Sequence, residues 1–224
     1  LIGNSSVAHI VFIFLGIASL NIIGITGAVF IMVAHGFLAA LTFGLNGYIY
    51  QKTGTLEISE LGGLCRKLRF IGTALVMAAM AGCGLPGFAN FVGEVSVFFA
   101  AWKIFPTVTI LAVWGALVIG GIYMTRAVRN VLHGPLPEKF SNIADATSSW
   151  RKLPYALLLA ALFVFGCFPK LLTNQITPDA QRIVSSFKFQ VSSSQSPKAV
   201  QLKTENLKLE TASIAHRQPA IENQ

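Results

Sequence analysis

Glu94, His9 and His35 are the residues of this sequence best placed to do chemistry, because each is titratable and each stands inside an apolar run. Glu94 is the only acid in those runs, and no lysine or arginine joins it before Arg126 at a helix end. An ionised, unpaired carboxylate in hydrocarbon costs several kcal/mol, so Glu94 is expected to face protein or water and to take up a proton readily. It follows Pro86 by eight residues, about 12 Å at helical rise, just inside a helix that starts at the break Gly82-Cys-Gly-Leu-Pro-Gly87. A carboxyl beside an interrupted backbone meets water and freed polar groups, as membrane ion pathways require. The alternative is an acid near the headgroups paired with a basic loop residue of another chain. The uncharged run Val95 to Trp102 beyond Glu94 weighs against it.

Imidazole both accepts and donates a proton near neutral pH, so His35 and His9 read as relay steps. His35 lies mid-run between Ala34 and Gly36, where small neighbours allow helices to approach and an interior-facing place is expected. His9 stands near the start of its run, and a hydrogen-bonded packing histidine at the interface explains it equally well. Ser6, Thr42, Asn46 and Asn90 are candidates to hold water, although singly such residues more often pack or cap. Cys65, Cys83 and Cys167 form neither a CxxC pair nor a metal-ligand spacing, so neither a disulfide framework nor a metal site is expected. HExxH, GxSxG, a Walker loop and a dinucleotide fingerprint are missing from the sequence, so nucleotide binding and hydrolysis find no support and no cofactor is expected. Arg126 and Arg129 are read as interfacial anchors rather than phosphate ligands.

The elements that must position these groups follow from composition. Hydrophobic residues make up 54% of the 224 residues and charged ones 12%, with mean hydropathy +0.64, which all but excludes a soluble enzyme domain. The net charge of +8 is spread over short connections, helix ends and the tail. It marks no basic face for nucleic acid, so no nucleic-acid partner is expected. Apart from the tail, the basic residues divide equally between the two sides, leaving sidedness open.

Apolar runs over 7–23 and 27–50 predict two membrane helices joined by a turn at Gly24 and Thr26-Gly27. Gln51 to Arg69 reads as a polar connection in which Leu56, Ile58, Leu61 and Leu64 make interfacial contacts. Phe70 to Trp102 is too long for one straight span and is cut at Pro86, giving helices over about 70–85 and 88–102, either two spans or one with a break. A long helix from Pro106 to about Val131 and a last span over 153–171 complete six spans, which place both termini on one side. Thr177-Pro178-Asp179 reads as a further helix start. The expected fold is all-α: a polytopic transmembrane bundle of about six helices, broken near Pro86, over residues 1–172, then a surface amphipathic helix over 173–190 and a polar, disordered tail over 191–224. The chain begins at Leu1 without a signal-like segment, so it is expected to be a fragment lacking N-terminal sequence.

Several short motifs stand in a particular order: Ser5-Ser-Val-Ala-His9, Val33-Ala-His-Gly-Phe37, Tyr50-Gln-Lys-Thr-Gly54 leading to Leu61-Gly-Gly-Leu64, and Gly84-Leu-Pro-Gly-Phe-Ala-Asn-Phe-Val-Gly-Glu94. At these separations the series resembles the C-terminal half of the M-type (chain 4) antiporter-like subunit of respiratory complex I, over roughly residues 1–190. The tail is not matched. The resemblance implies two inverted half-channels in the whole subunit, with the present helices as its last six. It implies that Glu94 is the terminal proton carrier on the broken helix, His35 the histidine of the central region, and His9 a less secure relay. Ala39 stands where the related L-type subunit carries lysine, and the glutamate at 94, where L-type chains typically have lysine, favours the M-type. The lysine and glutamate of the first half would precede Leu1.

The implied function is a proton-translocating membrane subunit of NADH:quinone oxidoreductase, itself without a redox centre, metal or other cofactor. Its partners would be the other membrane-arm subunits, the lipid bilayer, protons and internal water. A bacterial plasma membrane is the default location, with mitochondrial or thylakoid membranes as alternatives. A subunit of a multisubunit cation/proton antiporter is the second reading, and a structural scaffold or remnant the third.

Overall fold

An apolar segment surrounded by hydrocarbon has no water for its amides, so its backbone closes on itself as helix. The computed structural model describes residues 2–194, and among these it contains helices and turns without a strand. The first two helices are α1 (Ile2–Ala18) and α2 (Ile22–Thr53). Their turn lies at 19–21, not at the expected Gly24 to Gly27. Asn21 sets it by accepting the Gly24 N–H at 3.0 Å as N-cap. Ser19 donates its hydroxyl to the Gly16 carbonyl at 2.7 Å. Gly16 and Gly24 instead serve close packing: a Cβ on either would press on the other's carbonyl, at 2.7 and 2.8 Å.

α2 is the central element, packing against α1, α3 (Arg69–Gly82), α4 (Ala89–Trp102) and α7 (Ser149–Cys167). Leu41, Leu45 and Ile49 of α2 are fully buried in a core with Leu64, Ile71 and Leu162. The connection 54–68 is therefore more than the polar linker with interfacial leucines that its sequence suggests. It makes two short 3-10 turns, Ile58–Glu60 and Leu64–Arg66, and drives Leu61, Leu64 and Leu68 into the core, leaving Leu56 exposed. Apolar burial outweighs surface contact for these leucines. The Gly63 N–H donates to the His133 carbonyl at 3.1 Å and ties the connection to the chain beyond α6.

α3 and α4 both run antiparallel to α2. Gly82 packs by Leu38, Gly93 by Ile31 and Gly24 by Ala100, so the two follow one another down α2 as one interrupted pass. Of the two readings of this stretch, the packing of α3 and α4 along α2 matches one pass with a break. At the far end, Asp145 accepts the Phe70 N–H at 2.6 Å and satisfies a donor in the first turn of α3 from a loop distant in sequence.

The long helix expected from Pro106 is interrupted: α5 (Pro106–Val113) passes into a π-helical stretch, Trp114–Gly120, and then α6 (Gly121–Leu132). Gly115, Gly120 and Gly121 lie in or beside it, where missing Cβ atoms lower the preference for regular α-helix. α7 begins at Ser149 and ends at Cys167, earlier than the predicted 153–171, because a residue before proline, here Phe168, is pushed out of the helical region. Three apolar segments, Ile22–Thr53, Pro106–Leu132 and Ser149–Cys167, are each long enough to cross a membrane alone; α1, α3 and α4 are shorter.

α8 spans Lys170–Ser194. It does not start at Thr177 as the sequence suggests. The Pro169 carbonyl accepts from Leu172 and Thr173 N–H groups and begins the helix, and Thr177 turns its hydroxyl back to the Thr173 carbonyl at 2.7 Å. The chain divides after Ala180 into two units. The second continues α8 from Gln181, with Ser185 and Ser186 donating to the Arg182 carbonyl at 2.9 and 2.8 Å. Residues 191–194 of the predicted tail are thus helical, and the remainder of that tail lies outside the described residues.

Candidate functional site

The break over 83–88 is the anchor of the site. Pro86 has no N–H to donate, and Gly84 and Gly87 take φ of +67° and +100°, which glycine adopts without strain. Gly84 has a second reason to lack a side chain: a Cβ there would collide with Oε2 of Glu94. The carboxylate therefore lies directly over the turn. On α7, Gly166 presses its backbone against Gly87 and Phe88 so closely that a Cβ could not be inserted.

Glu94 comes from the second turn of α4 and is 3% exposed. His9 of α1, 5% exposed, brings Nδ1 to 3.3 Å from Glu94 Oε1. The contact is at ion-pair distance without making a hydrogen bond. The His9 and His35 rings lie 4.9 Å apart between centroids, tilted by 36°. The Nε2 of His35 is 2.7 Å from the Ser6 hydroxyl. The structure thus brings all three predicted residues together in the order Glu94, His9, His35, with Ser6 at the end. His9, the weakest candidate by sequence, is the middle member.

Two spaces adjoin this row. A cavity of about 470 Å³ is lined by Ser5, His9, Cys83, Glu94, Gly115 and Tyr123 among others, so the π-helical stretch forms part of its wall. A second space of about 20 Å³ touches Ser6, His9, His35 and Thr42, room for about one water molecule. A proton taken up by Glu94 from the first can move to His9 and onward past the second. If it passes to His9, the resulting carboxylate and imidazolium stabilise one another in a medium that screens charge poorly.

The other polar candidates divide. Thr42 donates to the carbonyls of Leu38 and Ala39 at 2.9 and 3.2 Å, and Asn46 to that of Thr42 at 2.8 Å, so both are engaged with their own helix. Ser6 is recruited to His35, and Asn90 is fully buried. Among the described residues no three of His, Cys, Asp and Glu converge as metal ligands. Sequence reasoning missed the fit of Gly84 to the carboxylate and the part of Ser5 and Tyr123 in the cavity wall. Ser5 and Ser6 lie four and three residues before His9, a spacing that puts them beside it on α1.

The description NADH:quinone oxidoreductase/Mrp antiporter, transmembrane, belongs to a family model that matches residues 1–120. A protein of Synechococcus elongatus named NAD(P)H-quinone oxidoreductase chain 4 1 is 34% identical over 179 residues, covering 77% of this chain and 33% of that protein. NADH-quinone oxidoreductase subunit M of Rhodobacter capsulatus is 32% identical over 188 residues, 84% of this chain and 36% of the relative. The chain thus spans about a third of the length of these curated relatives. Among solved structures, a chain of respiratory complex I from Thermus thermophilus with bound NADH superposes with TM-score 0.72 at 26% identity, over 79% of this chain and 37% of that one. A chain of an archaeal membrane-bound sulfane sulfur reductase shares the fold, with TM-score 0.63 at 24% identity over 68% of this chain and 25% of that one. These likenesses agree with the all-α, polytopic transmembrane bundle expected from the sequence.

Proposed function

The chain belongs to the NADH:quinone oxidoreductase/Mrp antiporter transmembrane family, and from that premise we propose that it carries the second half-channel of a proton-translocating membrane-arm subunit of NADH:quinone oxidoreductase. The observation that carries the reading is the position of His9, 3.3 Å from Glu94 and 4.9 Å between ring centroids from His35. Two buried titratable side chains in a row with a third, partly buried one have little use as packing, since apolar residues of similar size would avoid the desolvation.

In this reading Glu94 is the proton carrier. It takes a proton from water in the cavity, or returns one, while Gly84 gives the carboxylate room beside the break. His9 accepts the proton at Nδ1 and hands it across the water-sized space to His35, whose Nε2 is held by Ser6. His35 passes it toward the other half of the subunit. NADH binding and electron transfer fall to other subunits of the complex, so this chain is assigned no redox centre, metal or cofactor. Its partners are those membrane-arm subunits, lipid, protons and internal water, and its location is the bacterial plasma membrane.

The second reading, a subunit of a multisubunit cation/proton antiporter, is favoured by the family description, which covers both kinds of protein. One experiment separates them: NADH-driven proton pumping and NADH:quinone turnover in native membranes, comparing the parent with Glu94→Gln. Lost pumping in an assembled complex supports the first reading. Unchanged pumping and turnover removes Glu94 as carrier and leaves the antiporter or a scaffold role.

A further inference from the structure

Asn90 is fully buried, and neither its Oδ1 nor its Nδ2 has a hydrogen-bond partner among the described residues. A carboxamide can take part in four hydrogen bonds, and burying one with none made is unfavourable in any apolar interior. Ordinary roles do not account for it. Asn46, a packing asparagine, bonds the carbonyl one turn back on its own helix. Asn90 is not an N-cap either, because α4 is preceded by Phe88 at that position.

Its place in the fold gives the amide a use. Asn90 stands one turn before Glu94 on α4, and residues four apart share a face of a helix. Along the antiparallel seam of α2 and α4, Gly24 packs by Ala100, Gly27 by Val97 and Ile31 by Gly93. Continuing this register by three residues puts Asn90 at the level of Ala34 and His35. His35 bonds Ser6 through Nε2, while its Nδ1 is also buried and unpartnered among the described residues. Unmatched polar atoms on two helices therefore lie at one level of the seam, one turn from the carboxylate.

We propose that Asn90 is a positioning residue for proton transfer, its carboxamide orienting water between the His35 level of α2 and Glu94. This rests on the reading of Glu94 as the proton carrier. The amide suits the task because Oδ1 accepts and Nδ2 donates, yet the group is too weak a base to retain a proton. A proton that enters such a water on one side leaves from the other, and Asn90 is unchanged. The branch complements the His9 contact, which is not a hydrogen bond.

The test uses native membranes carrying the assembled complex. Asn90→Leu keeps the branched shape and the number of heavy atoms without the amide, and Asn90→Ser supplies a smaller side chain with a hydroxyl that holds water. NADH-driven pumping per turnover is measured for both in ordinary and heavy water, beside Glu94→Gln. The expected result is normal assembly of Asn90→Leu with a several-fold fall in pumping and a larger solvent isotope effect, largely restored in Asn90→Ser. Parent-level pumping by Asn90→Leu overturns the proposal, as does equal impairment of both variants through lost assembly. If Glu94→Gln is impaired while Asn90→Leu is not, the role of Asn90 alone falls. If Glu94→Gln pumps normally, the reading beneath it falls as well.

Discussion

The backbone of Gly84 and the carboxylate of Glu94 are in such close register that no side chain could be placed between them. Gly84→Ala is therefore expected to act twice. Alanine in the left-handed region is strained by roughly 1–2 kcal/mol, and its methyl group displaces Oε2 from the turn. Pumping per turnover should fall while NADH:quinone turnover falls less. Parent-level pumping in a normally assembled Gly84→Ala complex would show that this seat is not needed.

His9 joins the row, so its loss should cost more than its neighbours suggest. His9→Leu is expected to lower the initial pumping rate on the order of tenfold or more. Because the step through His9 leads on to His35, His9→Leu combined with His35→Leu should be little worse than His35→Leu alone. Strictly multiplicative losses in the double variant would mean that the two act independently.

Asp145 holds the start of α3 through the Phe70 N–H. Asp145→Ala leaves that donor without its partner, and thermal unfolding in detergent should register a loss of about 1 kcal/mol, as for an N-cap. Asp145→Asn keeps an acceptor and should recover most of it. Equal losses for alanine and asparagine would assign the effect to charge rather than to the bond.

Glu60 and Lys139 pair at the surface with an N–O distance of 3.0 Å, and the hydrogen bond and charge of Lys139 hold the Glu60 carboxyl below its ordinary value. A depressed carboxyl contributes stability that is present above its unfolded value and lost as pH falls through the folded one. The pair is exposed, so Lys139→Met should shift the unfolding temperature only marginally at neutral pH, less in high salt, and not at all in acid that protonates Glu60. A large shift that persists in acid would place its origin in packing.

How far the sequence disclosed all this differs by element. The break at Pro86 was plain because proline and glycine act locally, and α3 and α4 end close to their predicted bounds. Glu94 stood out because an acid in an apolar run is costly wherever its neighbours lie. The turn before α2 was misplaced because Gly24 and Gly27 signal a turn locally but are used for contact with α1 and α4, a tertiary reason invisible in one segment. The burial of Leu61 and Leu64 and the central place of His9 likewise depend on what other segments bring to them. α8 passes through Thr177-Pro178 because its start is fixed by Pro169, and a good local start signal loses to an earlier one.

The contact of Gly166 with Gly87 and Phe88 has a mechanical meaning. Where side chains separate two helices, a small displacement is taken up by a change of rotamer. Here backbone meets backbone, and there is no rotamer to change. A sideways movement of α7 must pass into the turn on which the Glu94 carboxylate rests, and the slack between the two is smaller than one methyl group.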